Sequence, residues 1–252
     1  MSIDLYTLCK HVAEVLDVPS FDDICINGLQ VEGTRPVSLV ATAVSASLFA
    51  IDEAAKAGAE LLLTHHGLFL KNAGTALIGS YSKRLRSLYR ADMHLVSYHL
   101  PLDAHPELGN SWPILKELGC TSLEPFGKFL NKLVGVKGLC KPVLPKKLFQ
   151  RLQELFGAPG VLYGRDSGSI KSIAMVSGGG HKLLNEAIEQ KQDCYITGTA
   201  DEAAWSLAQE EGICVMAFGH YATEKRGIYL LGEHLKKQFD VEHIFIPEKN
   251  PF

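Results

Sequence analysis

The sequence predicts an α/β protein made of two similar α/β halves, and three observations carry that expectation. Short apolar runs alternate with amphipathic stretches of helical spacing, the pattern of strands joined by crossover helices. The alternation occurs twice, and the two runs can be laid over one another. Val40-Ala41-Thr42-Ala43-Val44-Ser45 matches Ile173-Ala174-Met175-Val176-Ser177, Leu63-Thr64-His65 matches Ile196-Thr197-Gly198, and Ser97-Tyr98-His99 matches Phe218-Gly219-His220. Polar turns follow the second and third strands of each run, which sets chemistry-bearing side chains at the carboxyl edges where open α/β sheets bind ligands. If the halves pair face to face, those strand ends converge on one cleft.

In chain order, residues 2–17 are expected to open the fold as a helix. Ile3, Leu5, Leu8, Val12, Val15 and Leu16 fall largely at helical spacing, and Ser2 or Asp4 can cap. Asn27-Gly28 marks a turn before a short strand ending at Val31. Strands are expected at 38–45, 60–64 and 94–99, with helices at 47–57 and 80–91 between them. The character of the chain changes near Pro125-Phe126-Gly127, so residues 1–125 and 126–252 are read as the two halves, packed as one structural unit. The second half begins with a strand over 131–140 and a helix over 145–156. Strands then follow at 170–176, 193–197, 213–218 and 241–247, with helices at 181–189, 201–211 and 220–239.

Composition narrows the class of function. A 46% hydrophobic and 21% charged chain can bury a substantial core at this length. The net charge of −3 gives no basic footprint for nucleic acid. Lys83, Arg84, Arg86 and Arg90 on one predicted helix are read as a solvated face. The six cysteines show no C-x-x-C spacing, which argues against a zinc knuckle or a disulfide framework. No apolar run approaches a membrane span, and the charged N-terminus is unlike a signal peptide. A cytoplasmic protein is expected.

Three clusters carry chemistry. The first is His65-His66, delivered by the apolar run Leu61-Leu62-Leu63-Thr64. The second, His99-Leu100-Pro101-Leu102-Asp103-Ala104-His105-Pro106-Glu107, follows a strand and is stiffened by two prolines. The third is Gly219-His220-Tyr221-Ala222-Thr223-Glu224, where a helix starting after the glycine sets His220 and Glu224 at i and i+4 on one face. Each has a plain structural reading: an exposed ion pair at 220 and 224, a turn or cap at Asp103, a hydrogen-bonded histidine at His99. Against these stands their shared placement beyond apolar strands, while His11, His234 and His243 are assigned to helix backs. Imidazole and carboxylate donors without thiolate suit zinc, manganese, iron, cobalt or nickel. Three histidines and two carboxylates exceed the needs of one structural zinc, so two ions sharing a bridging carboxylate, and hydrolysis by an activated water, are the expected chemistry. Ser177-Gly178-Gly179-Gly180-His181 has a glycine-rich look but neither Walker nor G-x-G-x-x-G spacing, and is read as a tight turn.

The stretches N-G-L-Q-V-E-G (27–33), L-L-L-T-H-H-G-L-F (61–69), S-Y-H-L-P-L-D-A-H-P-E-L-G-N (97–110), Y-I-T-G (195–198) and G-H-Y-A-T-E (219–224) resemble the NIF-three-like dinuclear metal proteins, also known as GTP cyclohydrolase 1 type 2 homologs. The resemblance implies two divalent metal ions per chain on His65, His66, Asp103, His220 and Glu224, with Glu224 bridging. It also implies a toroidal homohexamer with metal sites facing an internal cavity. One departure is Thr199, where many members carry a glutamate directly after the glycine.

The leading functional reading is a metal-dependent hydrolase acting on a small nucleotide-, phosphate- or peptide-like substrate. His99, His105 and His181 are minor candidates for proton transfer or for orienting ligands. The alternatives are a non-catalytic hexameric scaffold, a nucleic-acid-interacting ring and a metal carrier.

Overall fold

The computed structural model describes residues 2–71, 74 and 76–252, which divide into two compact units. The first comprises Met1–Leu102 and Gly227–Lys249; the second comprises Asp103–Arg226 and Asn250–Phe252. Elements of the first stretch of chain are α1 (Leu5–Val15), β1 (Gly28–Val31), β2 (Leu39–Ser45), α2 (Leu48–Lys56), β3 (Leu61–His66), α3 (Gly79–Ala91) and β4 (His94–Ser97). Next come α4 (Leu100–Ala104), α5 (Trp112–Glu117), β5 (Thr121–Phe129), β6 (Lys132–Val143), α6 (Pro145–Phe156) and β7 (Val161–Gly164). The chain continues through β8 (Ile170–Val176), α7 (Leu184–Glu189), β9 (Cys194–Thr197), α8 (Glu202–Glu211), β10 (Cys214–Ala217), α9 (His220–Phe239) and β11 (Glu242–Phe245).

The first unit holds a five-stranded sheet of order β1-β4-β3-β2-β11. Four strands are parallel and β1 is an antiparallel edge. Central β3 reads Leu-Leu-Leu-Thr because it is covered on both faces, where alternation gives way to a continuous apolar run. Its core gathers Ala41, Ala43, Ile51, Leu62, Leu88 and Leu95. Local chemistry sets the helix starts: the Asp4 side chain caps α1 through Thr7 N–H, as expected, and Ser47 caps α2 through Ala50 N–H.

The second unit holds a six-stranded sheet of order β5-β6-β8-β9-β10-β7. Strands β8, β9 and β10 are parallel, whereas β7 on one side and β6 with β5 on the other are antiparallel. Met175, Ile196, Cys214, Met216, Leu152 and Phe156 form its core. The sequence pattern missed β5, which has an irregular burial pattern, a register break and Pro125. Proline is tolerated there because β5 is an edge strand. The change of character near Pro125 thus lies within a strand.

Three further expectations differ from the structure. The helix expected over 181–189 is split into a 3-10 turn, Gly180–Leu183, and α7. Strand β3 runs on through His66, because β2 still pairs beside it at Ser45. His243 lies on β11, not on a helix back, with its ring nitrogens bonded to Glu233 and Thr42.

Both sheets are tied at the start of their parallel strands by one carboxylate. Glu60, just before β3, accepts the N–H groups of Ser38 (3.1 Å) and Leu39 (2.8 Å) and pairs with Arg35 at 3.5 Å. Asp193, just before β9, accepts those of Lys171 (2.8 Å) and Ser172 (3.1 Å) and pairs with Arg165 at 3.0 Å. Partial burial raises the Asp193 pKa, but the Lys171 N–H, the Arg165 guanidinium and the Ser172 N–H outweigh it and hold the carboxyl below its usual range. A depressed carboxyl contributes stability above its unfolded pKa, near 4, and loses it as pH falls through the folded value. Asp193→Asn is therefore expected to lower stability by about 1–2 kcal/mol at pH 7. In urea melts the gap should close below about pH 4; a gap independent of pH would contradict the assignment.

Candidate metal centre

In the first unit, the end of β3 presents two histidines. Adjacent strand residues point to opposite faces. Their ring centroids nevertheless lie 4.7 Å apart, beyond the point where β4 stops at Ser97 opposite Thr64. His65 is fully buried, and its Nδ1 lies 3.0 Å from the Tyr98 carbonyl oxygen. A ring nitrogen facing a carbonyl must carry the proton, which makes Nε2 the lone-pair nitrogen, the tautomer that metal-ligating histidines adopt. His66 is half-buried, with Nδ1 3.2 Å from Ser45 Oγ.

His99, two residues past β4, joins them. Its ring lies 5.1 Å from His65 and 5.6 Å from His66, and one nitrogen from each of the three falls within 4.8 Å of the others. Its Nδ1–H donates to Asp23 Oδ1 at 2.8 Å. Asp23 is buried and also accepts from Cys25 N–H, Leu100 N–H and the Asn27 amide. Burial pushes its carboxyl up, but the His99 bond and charge, the Asn27 amide and the Cys25 N–H prevail and hold it at about 2. Asn27 Oδ1 accepts the His99 backbone N–H at 2.8 Å, and Gln30 Oε1 accepts those of Leu68 and Phe69 at 2.8 and 3.1 Å. Asn27 and Gln30 of the N-G-L-Q stretch thus brace the loops that follow β4 and β3. Sequence reasoning missed Asp23, because a loop carries no periodicity to flag it.

In the second unit, Asp103 comes from α4, while His220 and Glu224 come from the first turns of α9. Asp103 is buried and its Oδ1 accepts from the Asn110 amide (2.8 Å) and Ser177 Oγ (3.0 Å). The Ser177 N–H in turn donates to Ser111 Oγ at 3.2 Å, so three buried polar residues fix one carboxylate. Glu224 is 3% exposed, and its Oε2 lies 3.2 Å from His220 Nε2, the one-face geometry that i,i+4 spacing gives. Carboxylate oxygens of Asp103 and Glu224 lie within 4.8 Å of each other. Two buried carboxylates this close repel, and a shared dication removes that cost.

The glycine run after β8 packs against this carboxylate. Gly178 has φ +56°, its N–H donates to Thr223 Oγ1 at 3.0 Å, and its carbonyl accepts Thr199 N–H at 2.9 Å. A Cβ there would sit 2.0 Å from Glu224 Oε1 and 3.0 Å from His220 Nε2. His181 pairs with Asp201 at 3.4 Å, and His105 Nδ1 accepts the N–H groups of Glu107 and Leu108. Among the described residues, neither belongs to a donor cluster.

Overlapping His/Asp/Glu clusters, drawn from His65, His66, His99, Asp103, His220 and Glu224, are consistent with a binuclear divalent-metal site. The donor set contains nitrogen and oxygen only, which fits a borderline transition metal.

The family model described as Duf34/NIF3 (NGG1p interacting factor 3) matches residues 3–251. The chain belongs to the NIF3 family. A Chlamydia pneumoniae relative named GTP cyclohydrolase 1 type 2 homolog is 41% identical over 248 residues, covering 97% of this chain and 98% of its own. Among solved NIF3-like structures, the protein ybgI, described as of unknown function, superposes with a TM-score of 0.91 at 32% identity over the full length of both chains. TTHA1606 from Thermus thermophilus superposes with a TM-score of 0.91 at 30% identity, covering 99% of this chain and 100% of its own. The α/β NIF3 fold is shared throughout.

If the Asp23–His99 pair orients a donor in this NIF3 chain, Asp23→Asn should weaken zinc binding about 10–100-fold, read by chelator competition. Unchanged affinity would leave Asp23 a purely structural anchor.

Proposed function

We propose that the chain is a dinuclear metal-dependent hydrolase in which His65, His66, Asp103, His220 and Glu224 hold two divalent ions in a cleft between two similar halves. The observation that carries this reading is the pair of buried carboxylates, Asp103 and Glu224, with oxygens within 4.8 Å. Glu224, which approaches both Asp103 and His220, suits the bridging role.

Paired ions would supply a water deprotonated near neutral pH and polarisation of the scissile group. The chain's own residues do the rest. Ser177 and Asn110 hold the Asp103 carboxylate in one orientation. The carbonyl of Tyr98 fixes the His65 tautomer. His99, backed by the ionised Asp23, can take a proton at Nε2 or serve as a further donor. The substrate class proposed is a small nucleotide- or phosphate-like molecule. Ring opening of GTP, suggested by the relatives' name, is one hydrolysis this chemistry can perform.

The test is elemental analysis of the reconstituted chain alongside turnover on phosphate, nucleotide and peptide panels. About two ions per chain with metal-dependent turnover supports the reading. Two ions without turnover on any panel would reject the hydrolase and favour a metal carrier or scaffold. A toroidal homohexamer is part of the proposal, and light scattering that reads a monomer or dimer would remove it. Among the described residues no helix is long and apolar enough to cross a membrane.

A further inference from the structure

Beside His220 the second unit contains a pocket of about 310 Å³, lined among others by Gly198, Thr199, Gly219, His220, Pro251 and Phe252. Its size is at the small end of the range for ligand sites. Among its lining residues there is no lysine, arginine, aspartate or glutamate. The polar side chains are Thr199 and His220, whose Oγ1 and Nδ1 lie 3.5 Å apart. Thr199 contributes a hydroxyl to the wall, and no lining side chain is a carboxylate, an ammonium or a guanidinium.

One wall is an exposed aromatic held by its backbone. The Phe252 carbonyl accepts the Tyr221 N–H at 2.7 Å, and its N–H donates to Asn250 Oδ1 at 3.0 Å. A Cβ on Gly219 would lie 2.8 Å from the Phe252 carbonyl carbon, so the segment sits directly on the start of α9. The Phe252 side chain nevertheless remains exposed, which leaves a ring face available for stacking. Burying an anionic group among lining side chains that include no ammonium or guanidinium is costly, whereas a neutral ring stacks and sheds water at no such cost.

We propose that this pocket receives an uncharged planar ring of the substrate, with charged parts held outside it. The inference deepens the hydrolase reading and rests on His220 being a metal ligand. Two sources share this chemistry: the base of a nucleoside and the aromatic side chain of a peptide. The probes are guanosine, N-acetyl-phenylalaninamide and inorganic phosphate, titrated calorimetrically into the full chain with and without zinc. Ala200 lines the pocket and is exposed, so Ala200→Trp fills it without opening the core; Phe252→Ala removes the stacking face.

The expected result is that one ring probe binds, phosphate does not displace it, and each variant weakens it at least tenfold with zinc content unchanged. Guanosine binding assigns the nucleoside source, and amide binding assigns the peptide source. Binding of neither ring probe, displacement by phosphate, or affinity unmoved by both variants would overturn the proposal. Wild type that holds no zinc fails the dinuclear reading separately, because the titration without zinc still reads the pocket. Should Ala200→Trp misfold, Phe252→Ala decides.

Discussion

Glu224→Ala is expected to take the metal content of the reconstituted chain from about two ions to fewer than one. The expected loss exceeds that for one terminal ligand because Glu224 lies at the junction of the donors. It is 3% exposed, 3.2 Å from His220 and within 4.8 Å of Asp103. If Glu224 bridges two ions as proposed, its removal would leave each ion short of a donor and the two ions unscreened from one another. Elemental analysis of wild type and variant, purified and loaded identically, measures it. His220→Ala should have the smaller effect, since its side chain is 41% exposed and water can replace it. Retention of two ions by Glu224→Ala would reject the bridging assignment, and absence of stoichiometric metal from wild type would reject the site.

Gly178→Ala is the second large effect expected. The positive φ of +56° costs a residue with a Cβ about 1 kcal/mol. The new methyl would also lie 2.0 Å from Glu224 Oε1, so the carboxylate must move. Metal affinity should fall about 10–100-fold, as for other losses of ligand orientation. Gly179→Ala is the control: at φ −77° its Cβ would meet nothing nearer than the His220 ring at 3.9 Å, and both affinity and stability should hold. Chelator competition and thermal melts separate the two quantities. Equal affinities for the two variants would show that the Gly178 contact does not govern the carboxylate.

The limits of sequence reading follow the range of the interactions. Strands β2, β3, β8 and β9 and helices α2, α6 and α9 were legible because each is specified by side-chain periodicity over its own length and by local caps such as Asp4 and Ser47. Edge strands β5 and β7 were not, since an edge residue is neither regularly buried nor barred to proline. The glycines at 178–180 read as a tight turn, which the backbone bears out, but nothing local says that Gly178 leaves room for Glu224.

The sequence by itself determined that His65 and His66 follow an apolar run covered on both faces, and that His220 and Glu224 share one helical face. Both follow from spacing along a single element. Only the tertiary structure decided what supports them. His99 is backed by Asp23 from 76 residues away, and Asp103 is held by Asn110 and Ser177. Glu60 and Asp193 each tie the start of a neighbouring strand. Those partners sit in loops or at strand ends, where no period marks them. Their pairing is set by which buried polar groups the packed chain leaves to satisfy one another, a condition that exists only once the sheets have formed.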